Sequence, residues 1–147
     1  DHMPSVVSKA KAVWEGDLFH GKGVVSFDSG AFQPTQVTWA ARSSKVSGMT
    51  SPEELIAAAH ASCFAMALSN ILAKEGKPAQ QLDVTAEVTF TIDGGVRISS
   101  SVLTVVGKVP GMDQQSFEKA AAAAGEGCPV SKALKGNLEI KVVAKLA

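Results

Sequence analysis

The sequence predicts an α+β fold with the element order βββ-α-ββ-α-β, in which antiparallel sheets cover helices on one face. Three observations carry this. Period-two alternation recurs near the N-terminus, in the middle of the chain and at its C-terminus. One long apolar segment with helix start and stop signals separates the first two groups of strands. The turn Asp93-Gly94-Gly95 joins the two central strands into a hairpin.

Each element follows from its residues. Ala10-Lys11-Ala12-Val13-Trp14 and Gly23-Val24-Val25-Ser26-Phe27-Asp28 alternate as strands, with turn-like Glu15-Gly16-Asp17 and Asp28-Ser29-Gly30 after them. Thr35-Gln36-Val37-Thr38-Trp39 is the third expected strand, and Ala41 to Thr50 reads as a polar loop holding Arg42. The long helix starts at Ser51-Pro52-Glu53-Glu54: Ser51 suits the N-cap, Pro52 the first helical position, and Glu54 a capping box with Ser51. It is expected to run to about Glu75, stopped by Gly76 with Pro78 beyond. From Leu55 to Leu68 only His60 and Ser62 are polar, the pattern of a helix buried all round. Leu82–Asp93 alternates, placing Val84, Ala86, Val88, Phe90 and Ile92 on one face, and Val96–Val109 returns beside it. A helix is expected from Asp113 to Ala124 with Gly125 as its stop, then a short helix over Pro129–Leu134 and a last strand over Leu138–Leu146.

Asp1-His2-Met3 reads as a cloning scar, leaving 4–147 as a single domain with room for a moderate core. Hydrophobic residues make up 46% of the chain, a globular value. The net charge is zero, from 14 basic and 14 acidic residues, which gives no electrostatic reason to expect nucleic acid as a partner. No unbroken apolar run reaches the roughly 18 residues of a membrane span, and no signal peptide is expected at the N-terminus. A central helix apolar on every side outruns what one small sheet covers, so a homodimer is expected.

Chemistry centres on two cysteines in contrasting settings. Cys63 lies within the apolar helix, and Cys128 at a breaker, Gly127-Cys128-Pro129. A pair this sparse is no disulfide framework; it fits two free thiols or a transient catalytic disulfide in a reducing cytoplasm. Cys63 reads as a packed apolar residue or as a nucleophile; the latter needs a nearby cation, because burial raises a thiol's pKa. Arg42 is the best candidate cation. Glu53 is explained by helix capping, or by holding that arginine, since ten residues of helix (about 15 Å) separate it from Cys63. His60 reads as a core histidine or as a base for Cys63, and a His60–Cys63–Cys128 metal site has non-standard spacing.

The segment Ser51-Pro52-Glu53-Glu54-Leu55-Ile56-Ala57-Ala58-Ala59-His60-Ala61-Ser62-Cys63-Phe64-Ala65-Met66-Ala67-Leu68 resembles the central helix of the osmotically inducible protein C (OsmC) family, and Gly127-Cys128-Pro129-Val130-Ser131 resembles its second cysteine motif. Trp14-Glu15-Gly16-Asp17 followed by Gly21-Lys22-Gly23 fits the same family. The resemblance implies the OsmC/Ohr-like fold, an intertwined homodimer with sheets wrapped around central helices, and a thiol peroxidase acting on organic hydroperoxides without a cofactor. By motif position it implies Cys63 as the peroxidatic cysteine, Cys128 as the resolving one, and Arg42 with Glu53 as the activating pair. It points to lipoyl-type dithiols or small thiols as the external reductant; His60 fits the same family and is assigned no catalytic role. The competing readings are a dimer of the same fold that binds a hydrophobic ligand, and one that senses redox state through a 63–128 disulfide.

Overall fold

A computed structural model describes residues 5–147; the expected scar at 1–3 lies outside the described residues. The chain forms two compact units, one ending at Pro52 and one running from Glu53 to Ala147.

In the first unit, β1 (Ala10–Glu15), β2 (Lys22–Phe27) and β3 (Thr35–Val37) form an antiparallel sheet in that order. The third strand ends at Val37, short of the expected Trp39, and the expected loop opens as a helix, α1 (Trp39–Ser44). Thr38 makes the difference. Its backbone is still extended, and its hydroxyl accepts the Ala41 N–H at 3.1 Å, which converts strand to helix. Arg42 lies in the last turn of α1. The strands bury little: Val13 is 51% exposed and Phe19, in the β1–β2 connection, 66%.

The second unit is built on α2 (Pro52–Lys74), which starts and ends where its signals place it. Gly76 takes a positive φ of 76°, and the Lys77 N–H reaches back to the Leu72 carbonyl at 2.9 Å, closing the helix end. One side of α2, with Glu53, His60, Phe64, Leu68 and Leu72, is buried, whereas Met66 is 71% exposed. The chain thus covers one side of a helix whose sequence is apolar on all sides. At 23 residues and a mean hydropathy of 1.7, α2 is also long and apolar enough to cross a membrane on those counts. Its unbroken apolar run is shorter, because His60, Ser62 and Ser69 interrupt it without lowering the mean much. Here its Phe64–Leu68–Leu72 side is taken up by the core of the unit.

That core lies between α2, the central strand of a three-stranded sheet and a second long helix. Strands β4 (Gln81–Thr91) and β5 (Arg97–Lys108) pair antiparallel, with a bulge at Thr89/Phe90. Two helices, α3 (Gln114–Gly127) and α4 (Pro129–Leu134), lead to β6 (Glu139–Leu146). β6 pairs parallel to β5, not antiparallel as expected. The helical crossover explains it, because a chain that leaves one end of a strand and returns through helices re-enters in the same direction. Ser101, Leu103 and Val105 of β5 face inward on alternate positions, against Phe117, Ala120, Ala121 and Ala124 of α3.

Gly125 does not stop α3, which continues two residues further. Its role is close approach: a Cβ there would lie 2.7 Å from Val142 Cγ2 of β6. The helix ends at Cys128 because Pro129 follows.

Candidate active site

Helix α2 carries Cys63, half-buried, one turn beyond His60. Cys128 is fully buried and does two jobs in the backbone. It is the C-cap of α3, its N–H bonded to the Ala124 carbonyl at 2.9 Å, and the N-cap of α4, its sulfur accepting the Ser131 N–H at 3.4 Å. The extended backbone of Cys128 (φ −64°, ψ 132°) is what Pro129 demands of the residue before it. Both cysteines are free thiols. They are 65 positions apart in sequence, yet the fold packs Cys63 against the core cluster that contains Cys128.

Their surroundings treat the two sulfurs differently. Burial pushes the Cys63 thiol up; the Val130 amide pulls it down, and the nearby Cys128 thiol, which resists a second negative charge, adds to the rise. Burial acts upward on Cys128 too, but the side chain and N–H of Ser131, the Cys63 thiol and the Val130 amide together hold it below the ordinary thiol value. The rise at Cys63 is what its sequence context predicts for a thiol on an apolar helix.

The remaining expected residues are placed as follows. Arg42 is on α1 in the first unit, and Glu53 is in the first turn of α2; neither side chain is free. Glu53 is 5% exposed whereas Glu54 next to it is exposed, so Glu53 is more than a solvated helix-start residue. It sits about 15 Å along the helix axis from Cys63.

His60 is not a base for Cys63. Its Nδ1 is 2.7 Å from Ser101 Oγ and its Nε2 is 2.8 Å from Ser131 Oγ, so both ring nitrogens are engaged elsewhere. Those bonds also remove it from a His60–Cys63–Cys128 ligand set, and no cluster of three or more His, Cys, Asp or Glu occurs among the described residues. Ser101 and Ser131 were missed from sequence. Ser131 had a signal, since it stands three residues after Cys128 at capping spacing.

Chemically, the site presents two reduced thiols in contact, one on a rigid helix and one at a helix–helix junction. That arrangement supplies the two sulfurs that a dithiol–disulfide cycle requires.

Comparison with known proteins agrees with this geometry. Residues 45–143 match the family described as OsmC-like protein. The chain is 39% identical over 137 residues to the peroxiredoxin OsmC of Escherichia coli K12, covering 92% of this chain and 95% of that one. Among solved structures, the organic hydroperoxide resistance protein OhrB of Bacillus subtilis superposes with a TM-score of 0.72 at 28% identity, over 93% of this chain and 98% of that one. An organic hydroperoxide resistance protein OsmC from Legionella pneumophila shares the fold, with a TM-score of 0.73 at 24% identity, over 96% and 99% of the two chains. The α+β class predicted from sequence is therefore the OsmC/Ohr architecture, and this chain belongs to the OsmC-like protein family.

Proposed function

We propose that this chain is a cysteine-based peroxidase that reduces organic hydroperoxides to alcohols, acting as a homodimer in the cytoplasm. The observation that carries the reading is the contact of Cys63 with Cys128, two free thiols delivered from distant parts of the sequence. The names of the relatives support the reaction class: a peroxiredoxin and organic hydroperoxide resistance proteins. Leu55, Ile56 and Met66, apolar residues of α2 outside the core cluster, favour an alkyl or aryl peroxide over hydrogen peroxide.

Cys63 is the peroxidatic residue. Because burial holds its proton on, it needs a cation, and Arg42 is assigned that task with Glu53 orienting the guanidinium. The Cys63 thiolate attacks the terminal peroxide oxygen. The O–O bond breaks, a sulfenic acid forms, and the alkoxide leaves, takes a proton and becomes the alcohol. Cys128 then condenses with the sulfenic acid to a disulfide, releasing water. An external dithiol of lipoyl type reopens the disulfide by exchange and is itself oxidised.

The test is a titration of reduced protein with cumene hydroperoxide and, separately, hydrogen peroxide. Free thiols are counted and the linkage mapped by mass spectrometry. Loss of two thiols per chain at one equivalent of organic peroxide, with a 63–128 bond and slower loss to hydrogen peroxide, is the expected result. Thiols that survive excess organic peroxide would refute it and leave a ligand-binding or structural dimer.

A further inference from the structure

Among the described residues, the one buried titratable group with no part in this chemistry is His60, on the same helix as Cys63. It is wholly buried, as is Ser101, and Ser131 is 2% exposed. Three polar side chains in an apolar core form one continuous bridge, Ser101–His60–Ser131, with bonds of 2.7 and 2.8 Å. Each comes from a different element: β5, α2 and α4. Leucine would fill the His60 position with less polar desolvation, but it would strand two buried hydroxyls. Burial also lowers the His60 pKa, so the ring is neutral, with one N–H and one lone pair. One serine therefore donates to the ring and the other accepts from it.

Ser131 is held from two sides. Its Oγ is bonded to His60, and its N–H donates to Cys128 Sγ. His60 and Cys63 are three residues apart on one rigid helix, a rise of about 4.5 Å. The contacts close a ring: Cys63 to His60 through α2, His60 to Ser131, Ser131 to Cys128, and Cys128 back to Cys63. The position of α4 on His60 thus fixes where the second sulfur sits relative to the first.

We propose that the Ser101–His60–Ser131 bridge is a positioning device for disulfide closure, anchoring the Cys128 turn to the helix that carries Cys63. The proposal rests on the peroxidase reading and concerns its second step. In that step the Cys128 sulfur attacks the sulfenyl sulfur of Cys63; the S–S bond forms, the S–O bond breaks, and hydroxide leaves with the Cys128 thiol proton as water. Cys128 is oxidised and the sulfenic acid is reduced. The first step, at Cys63 alone, does not need the bridge.

The experiment compares the wild type with His60→Leu, His60→Gln and Ser131→Ala on the full chain at neutral pH. Rapid quench with dimedone follows the Cys63 sulfenic acid, and mass spectrometry follows the 63–128 bond. His60→Leu and Ser131→Ala are expected to form the sulfenic acid within about threefold of the wild-type rate and to close the disulfide roughly 10- to 100-fold more slowly. Dimedone adduct and sulfinic acid at Cys63 rise accordingly. His60→Gln, which keeps a donor and an acceptor, recovers most of the closure rate. A purely structural role would lower stability without separating the two steps. Closure within twofold of wild type in the folded variants, or equal slowing of both steps, would overturn the proposal. If His60→Leu does not fold, Ser131→Ala, which deletes one oxygen, decides by the same criteria. A wild type that forms neither sulfenic acid nor disulfide sinks the peroxidase reading itself, and the positioning role with it.

Discussion

In the proposed mechanism Cys63 must ionise to react, and burial opposes that, so the residue that supplies positive charge governs the rate. Replacing Cys63 with Ser is expected to abolish turnover. Cys128→Ser should retain one stoichiometric reduction per chain, followed by overoxidation visible as a sulfinic acid in the mass spectrum. Arg42→Ala should slow alkylation of Cys63 at neutral pH by about tenfold, the effect of a one-unit rise in thiol pKa; an unchanged rate would assign the cation elsewhere. His60 makes a separate prediction. Its pKa is lowered from the ordinary 6.5 by burial, so below that pH the unfolded chain binds a proton that the folded chain refuses. The associated stability is complete above the ordinary value and is lost as pH falls through the window below it. His60→Gln cannot titrate, so urea midpoints at about pH 5 and about pH 7.5 should differ less for the variant than for the wild type. Equal differences would mean that burial does not hold His60 below its ordinary value. The cysteines were legible because their contexts contrast: an alanine-rich helix against a Gly–Pro breaker. Ser101 and Ser131 were not, since a serine in a strand or a cap looks the same whether it faces water or a buried histidine.

At the scale of elements, local signals succeeded where the cause was local. Pro52 and Gly76 bracket α2 because a proline and a left-handed glycine act within one turn. Alternation located β4, β5 and β6 to within a residue or two. The failures have non-local or competing causes. Alternation ran through Thr38, whose hydroxyl instead caps α1. The direction of β6 depends on where the crossover returns, which periodicity does not encode. Gly125 looked like a stop and is a contact point. This last case is testable. Gly125→Ala gains about 1 kcal/mol in helix propensity, but its methyl would meet Val142 at 2.7 Å, and a β-branched side chain on a strand yields little. Overpacking costs about 1–3 kcal/mol, so a net loss of stability is expected in urea unfolding. A stabilised variant would show that α3 and β6 separate easily.

At the scale of the whole molecule, the exposed side of α2 and the poorly buried first sheet support the proposed homodimer. An apolar helix face bearing Met66 at 71% exposure is an unusual surface for a monomer. Sedimentation is expected to give twice the chain mass of 15.2 kDa, and Met66→Lys should shift the protein toward monomer and lower its activity together. A monomeric wild type at micromolar concentration would contradict this. The 65-position separation of the two cysteines has a further consequence, in the unfolded chain and not at the site. A bond across a loop of that length removes enough conformational freedom from the denatured ensemble to favour folding by roughly 4 kcal/mol. By thermodynamic linkage, the fold favours the bond to the same extent, about a thousandfold in its equilibrium with any reductant. In the proposed cycle, oxidation would therefore leave the protein in a deep well. A monothiol must climb out of it in two separate encounters, whereas a dithiol closes its own ring and leaves in one.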